Sequence, residues 1–377
     1  MFNSDQYLKK RGIIGPWSID IKITKKFKQT IVIPAYGESK FLPNTLSSIN
    51  KNNINELKET LVTVVINNSA ETSKEIKDDN QYLLQKLENM NYNFSLGIID
   101  ASSINKELPK DKAGVGLARK IGIDLSLPYL LSKDSLIFCT DSDTIVNDNY
   151  IIKVQNHYRS HHIEAMVVGF QHQQGINRKE EIAIRKYEKF LLTTAKKINN
   201  SGSPYGYVSM GSTMVCTANA YCAIGGMPSR KATEDFYFLQ ELSKYCGVDI
   251  ISDILVFPSS RSNSRVYLGT GFRMERSQDG FDIDSLYYND NAFKILSRWI
   301  KLACDSYKIN YYNIKNNIVI IHPILLEFLI SEGIENIWDR LQKNSPSSSQ
   351  FISQFHRWFD GLKTIRLLKF FSKNFKF

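Results

Sequence analysis

Ser135-Leu-Ile-Phe-Cys-Thr-Asp-Ser-Asp143 decides how this chain is read. A short, mostly apolar run bounded by polar residues predicts a buried strand. Two aspartates, Asp141 and Asp143, follow its end with one residue between them. In an open α/β sheet, ligands bind just outside the carboxyl ends of the strands. Two carboxylates in an extended turn can face one hard cation. Mg²⁺ or Mn²⁺ takes oxygen ligands and keeps part of its coordination for substrate phosphates. The alternative is an ordinary turn in which each aspartate bonds its own backbone.

Outward from this stretch, apolar runs predict strands at 30–34, 61–66, 94–99, 164–170, 212–216 and 249–257. Helical patterning covers 40–49, 73–90, 114–131, 149–158, 180–197 and 218–224. Strands alternating with helices predict an α/β fold with a mostly parallel sheet. Pro34 is expected to end the first strand. Thr233 is expected to cap a helix with Phe236, Leu239, Leu242 and Cys246 on one face. Residues 1–28 read as an irregular basic lead-in and 29–275 as the α/β domain. Residues 276–377 read as a mainly helical region with a Ser-rich hinge at 345–349.

The 377 residues carry a net charge of +10, which favours an anionic partner. No nucleic-acid motif accompanies that charge, so no nucleic acid is expected. Five scattered cysteines without a Cys-x-x-Cys point to reduced thiols in a cytoplasmic protein. No apolar run is long enough to span a membrane, and the start lacks the pattern of a signal peptide. The tail at 355–377 mixes aromatic residues with Lys and Arg, and Asp360 is its one acid. It can lie on the inner face of an anionic membrane, or it can pack as an ordinary helix. Neither a complete dinucleotide fingerprint nor a Walker sequence is present, since Gly114-x-Gly116-x-x-Arg119 lacks the third glycine. A nucleotide would then be held most simply through a metal on its diphosphate.

Taken together, the motifs resemble family 2 glycosyltransferases. Ile31-Val-Ile-Pro-Ala-Tyr-Gly-Glu38 looks like that family's opening strand, and Ala113-Gly-Val-Gly-Leu-Ala-Arg-Lys-Ile-Gly122 is similar to its Gly-x-x-x-Ala-Arg-Asn-x-Gly helix. Asp141-Ser-Asp143 matches its Asp-x-Asp, and Gly225-Gly226 followed by Glu234-Asp235 matches its glycine pair and acceptor-side Glu-Asp. The second strand ends at the family's base-reading position. The signals fall in the family's order across roughly 29–260. Three departures stand beside them. Asn67-Asn68 replaces the usual aspartate, Lys120 follows Arg119 where asparagine is usual, and no Gln-x-x-Arg-Trp is present.

The resemblance implies a GT-A fold, Rossmann-like with a helical C-terminal extension. It implies a metal-dependent transferase of hexosyltransferase type using a nucleoside diphosphate sugar donor and a saccharide or lipid-linked acceptor. Asp141 and Asp143 would hold Mg²⁺ or Mn²⁺. Pro34, Tyr36, Glu38, Asn67, Lys112, Arg119, Asp141, Arg261 and Arg265 would meet the donor nucleotide. Asp235 would be the base of an inverting transfer, with Glu234 holding the acceptor. His172 and His322 are candidates for a third metal ligand, and Tyr205 and Tyr207 for stacking on a sugar. Each has a bland alternative in a turn, a core residue, a helix cap or a solvated charge. The competing functions are a nucleotidyltransferase, whose basic phosphate loop is missing after the first strand, and a non-catalytic protein of the same fold.

Overall fold

A computed structural model describes residues 4–21, 25–262 and 269–374. Two compact units are present: residues 1–185 with 209–281, and residues 186–208 with 282–377.

The first unit is built on a nine-stranded sheet. Its strands are β1 (Ile19–Ile21), β2 (Gln29–Ala35), β3 (Thr60–Asn67), β4 (Ser95–Ala101), β5 (Leu136–Cys139), β6 (Ile145–Val146), β7 (Ala165–Phe170), β8 (Met214–Thr217) and β9 (Asp249–Phe257). Their order is β1-β4-β3-β2-β5-β8-β7-β9-β6. β2, β3, β4, β5, β7 and β9 point the same way. β8 opposes them in the interior, and β1 and β6 oppose them at the edges. The mostly parallel expectation therefore holds for strand direction, but β8 makes both of its own pairings antiparallel.

β2 and β3 are buried along their whole length. Their β-branched runs suit strands covered on both faces. The helix Val115–Ser126 packs over both. Gly122 allows that closeness, because a Cβ there would lie 2.4 Å from Val32 Cγ1 and 2.8 Å from Val65 Cγ2. The chain runs from β2 to β3 to β4, then returns to lay β5 on the other side of β2. That reversal is a topological switch point, where open α/β sheets leave a crevice at the strands' carboxyl ends.

Three local expectations are corrected. Pro34 does not end its strand but lies within β2, in register with Val65. The carbonyl of Val32 accepts from Thr140, so Pro34, two residues on, faces past the end of β5 and its missing N–H costs no ladder bond. The expected irregular lead-in at 1–28 is ordered over its described residues, 4–21 and 25–28. They contain the helix Ser4–Arg11 and β1, which pairs with β4, and Phe27 is buried. A three-residue strand is too short to show a period in sequence. Thr233 adopts a left-handed conformation, and its hydroxyl donates to the carbonyl of Ala232 instead of accepting from the helix.

The second unit is helical. Its core gathers Trp299, Trp338, Phe351, Phe355, Phe359 and Phe371, among others. The two tryptophan rings lie 6.1 Å apart, and Trp338 Nε1 donates to the carbonyl of Ile309 at 2.8 Å. The expected Ser-rich hinge is a helix start, since Ser347 Oγ accepts from the N–H of Gln350 ahead of the helix Ser348–Trp358. Apolar residues of the tail contribute to this core: Phe355, Phe359, Leu367, Leu368 and Phe371 are all buried. Among the described residues, no helix is long and apolar enough to cross a membrane.

This packing predicts how truncation behaves. Phe355→Ala is expected to cost about 3–5 kcal/mol, as removal of a core aromatic usually does. Cutting after Gln350 should melt the second unit, seen as a red shift of tryptophan emission. A truncated chain that keeps the wild-type emission would show that the tail is dispensable for this core.

Candidate active site

The site is assembled at the carboxyl ends of β2, β3 and β5. Because these strands are parallel neighbours, the loop after β2 and the turn after β5 leave the sheet at one edge. The backbone of the Asp-Ser-Asp turn is held from behind. Thr144 N–H donates to the carbonyl of Asp141 at 3.2 Å. Thr45 Oγ1 donates to the carbonyl of Ser142 at 2.9 Å, and Gln173 Nε2 donates to that of Asp143 at 2.7 Å. The two carboxylates are thus left for other partners, and both partners are arginines.

Arg119 is the first. It is 2% exposed, and its two terminal nitrogens donate to Asp141 Oδ1 and Glu234 Oε1. A solvated helix face is excluded for it. Its helix is buried nearly all round, from Gly116 through Asp124. A charge inside such a helix must be paired, because an unpaired buried ion is prohibitively costly. Three glycines let the chain close around the guanidinium. A Cβ on Gly211 would lie 2.1 Å from Arg119 Nη2. One on Gly116 would lie 2.5 Å from the carbonyl of Arg230 and 2.9 Å from Glu234 Cβ, and one on Gly114 would meet Lys231. The near-fingerprint glycines therefore serve close approach to the loop leading into Glu234.

Arg261 is the second. Its Nε donates to Asp143 Oδ2 at 2.9 Å, and its Nη2 donates to Glu38 Oε1. The guanidinium also lies 4.2 Å from the centre of the Phe41 ring. Five carboxylates, those of Glu38, Asp141, Asp143, Glu234 and Asp235, thus share two guanidinium charges. Burial pushes Glu234 up to about 7 and Asp143 up to about 6, each against the pull of its arginine. Desolvation raises Asp235 as well, although the residue keeps part of its surface exposed.

The other expected residues fall into several groups. Asn67 is buried, and its Nδ2 donates to the carbonyls of Ala35 at 2.9 Å and Val65 at 3.2 Å. It ties the ends of β2 and β3 together, so the amide donors of this expected base-reading residue are engaged by the backbone. Glu234, expected to hold the acceptor, is 4% exposed and spends Oε1 on Arg119. Asp235 is partly exposed at the start of the helix Glu234–Cys246, with Oδ1 accepting from Phe236 N–H at 2.7 Å. Tyr36 is partly buried, Lys112 is exposed two residues before the helix cap Gly114, and Arg265 lies outside the described residues. His172 is buried with Nε2 3.1 Å from Thr270 Oγ1. His322 belongs to the second unit and caps the helix Pro323–Ser331. Tyr205 is buried in that unit, and its hydroxyl donates to the carbonyl of His356, so it is not an open sugar platform. Tyr207 is partly buried in the same loop.

Sequence reasoning missed Asn80, Asp79 and Thr45. Asn80 is fully buried in the helix Lys74–Glu88. Its Oδ1 accepts from Gly37 N–H, and its Nδ2 donates to Asn67 O and Asn68 Oδ1. Asp79 accepts from Ser39 N–H at 3.0 Å. The available signal was spacing: Asn80, Leu83 and Leu87 share one helical face, so the asparagine points inward with the leucines.

Among the described residues, no three His, Cys, Asp or Glu side chains form a closed metal site. Mg²⁺ or Mn²⁺ needs no such cage, since one or two carboxylates with phosphate oxygens suffice. The donor set fits that mode. Asp141 and Asp143 are hard oxygen donors on one turn, in a cluster with more carboxylates than arginines.

No family model matches the chain, and no curated protein matches it. Solved structures show a weak likeness. The crystal structure of S. aureus TarS 1–349 in complex with UDP-GlcNAc aligns over 88% of this chain and 91% of its own, at 13% identity and a TM-score of 0.45. Mannosyltransferase PcManGT from Pyrobaculum calidifontis in complex with GDP-Man and Mn²⁺ aligns over 100% of this chain and 87% of its own, at 12% identity and a TM-score of 0.42. Likeness of this degree fixes neither a fold nor a substrate.

Two outcomes test the site's electrostatics. Arg119→Gln strands the buried Glu234 carboxylate and takes the partner from the partly exposed Asp141, and should cost about 3–5 kcal/mol in denaturant unfolding. The second concerns pH. Glu234 holds its proton more tightly when folded, with a value of about 7 against an ordinary 4.5. Its contribution to stability is complete below about 4.5 and is lost as pH rises through about 7. The unfolding midpoint of the wild type should therefore fall relative to that of Glu234→Gln between pH 4.5 and 8. Parallel pH profiles would show that Glu234 is charged throughout.

Proposed function

We propose that this chain is a glycosyltransferase that moves a sugar from a nucleoside diphosphate sugar to an acceptor hydroxyl, with inversion at the anomeric carbon. One observation carries the reading. A single buried guanidinium joins Asp141, the first aspartate of the turn after β5, to Glu234, the neighbour of Asp235. Donor-side and base-side carboxylates are therefore coupled through one side chain at the switch-point edge of the sheet, where a nucleotide is most readily held.

In this reading Asp141 and Asp143 hold Mg²⁺ or Mn²⁺. When bound, that ion supplies positive charge to the departing diphosphate. Arg261 shifts between Asp143 and the phosphates, for which its planar fork is suited. Asp235 takes the proton of the acceptor hydroxyl as it attacks. Desolvation raises its pKa above the ordinary carboxylate value, the direction expected of a general base. Glu234 and Arg119 position it and touch no substrate. The tail contributes to the second unit's core, so any membrane contact would rest on its lysines and arginines.

A thermal-shift screen of UDP, GDP and their sugars, with and without Mn²⁺, tests the donor. Stabilisation that vanishes in EDTA is expected. Stabilisation that persists unchanged in chelator would rule out the metal. Asp235→Asn keeps the shape and removes the base. It should cut turnover at least about a hundredfold while donor affinity and melting temperature barely move. Near wild-type turnover, or a product of retained anomeric configuration, would overturn the mechanism.

A further inference from the structure

Lys120, the residue that departs from the family pattern, belongs to a buried cluster outside the site. Its Nζ lies 2.9 Å from Asp124 Oδ2, one helical turn on, and donates to the Tyr7 hydroxyl at 2.7 Å. Tyr7 donates in turn to Asp124 Oδ1 at 2.9 Å, and Tyr221 donates to the same oxygen at 2.7 Å. The N–H of Ile13 donates to Oδ2 at 2.9 Å. The Asp124 side chain is fully buried, so these donors are what allow a carboxylate there. Three stretches distant in sequence thus meet at one side chain: the N-terminal helix and its exit, the arginine helix, and the helix Ala218–Ala223.

Directly beyond this cluster is the Gly225-Gly226 turn. Both glycines have left-handed φ values, 88° and 83°. A Cβ on Gly226 would lie 1.9 Å from the Tyr7 hydroxyl, and one on Gly225 would lie 3.3 Å from Arg11 Nη1. The N-terminal helix therefore sits on the turn itself. The chain then passes over Gly114 and Gly116 and reaches Thr233 at φ 64°. A β-branched residue in that region is strained and persists only where its surroundings hold it. Glu234 and Asp235 follow at once.

We infer that Tyr7 and Lys120 are positioning residues, through which the N-terminal helix clamps the Gly225-Gly226 turn and fixes the segment that presents Glu234 and Asp235. The effect on turnover rests on the reading of Asp235 as base; the clamp itself does not.

Amide hydrogen exchange on the full chain tests the clamp. Tyr7→Phe keeps the ring and loses both hydrogen bonds of the hydroxyl. Exchange in residues 226–233 should rise about five- to thirtyfold, while β2 and β3 keep their protection. Unchanged exchange in 226–233, or an equal rise in the central strands, would overturn the clamp. If Tyr7→Phe does not stay folded, Lys120→Arg is read the same way, since it keeps the charge beside Asp124 and displaces the donor to Tyr7. In the same variant, kcat for nucleoside diphosphate release should fall about tenfold, with KM for the nucleotide sugar unchanged. A loosened segment with unaltered kcat would overturn the positioning role in turnover, whereas the reading of Asp235 as base stands or falls with Asp235→Asn.

Discussion

The charge of Arg119 constrains everything near it. A guanidinium cannot shed its proton, so once buried it must be met by anions. Two anions meet it here, one from the turn after β5 and one from the start of the helix Glu234–Cys246. The helix carrying Arg119 must therefore lie against both, close enough that Gly116 and Gly211 have no room for a side chain. One buried cation thus sets the spacing of a helix, a sheet edge and a loop.

The second arginine works under looser terms. Arg261 remains partly exposed, and it bridges Glu38 after β2 to Asp143 after β5. Each arginine grips a different aspartate of the turn. Burial lifts Glu234 and Asp143 despite adjacent guanidiniums, and the neighbouring carboxylates add to the rise in a smaller measure. Such a cluster is suited to a ligand that brings positive charge, or to a carboxyl that takes up and releases a proton near neutral pH.

The second unit obeys different physics. Its basic, aromatic tail resembles a surface-seeking helix when read alone, because both kinds of segment alternate apolar and cationic residues. Folded, the aromatics stack into the core, with Phe355 and Phe359 5.8 Å apart and nearly parallel. Two of the tail's cations, Lys363 and Arg366, converge on Glu332. Composition does not distinguish these fates; the partner surface does.

Local chemistry sufficed for much of the first unit. Runs such as Thr60–Asn67 are strands because β-branched residues fit a covered pleated surface. The position of Asp141 and Asp143 beyond a strand end followed from apolar patterning alone. The glycines of the arginine helix were visible too, though their purpose was not. What the tertiary structure decided was the pairing of charges. Arg119 and Glu234 are 115 residues apart, and Arg261 and Glu38 are 223 apart. No local period encodes such meetings, since they arise where the parallel strands deliver their loops to a common edge. Asn67 illustrates the limit: its residue type allowed base reading, but the adjoining strand end took its donors. Residues 1–28 illustrate it further. Within them, Ile19–Ile21 is held by β4, and Tyr7 and Ile13 by the buried Asp124, partners that lie about a hundred residues on.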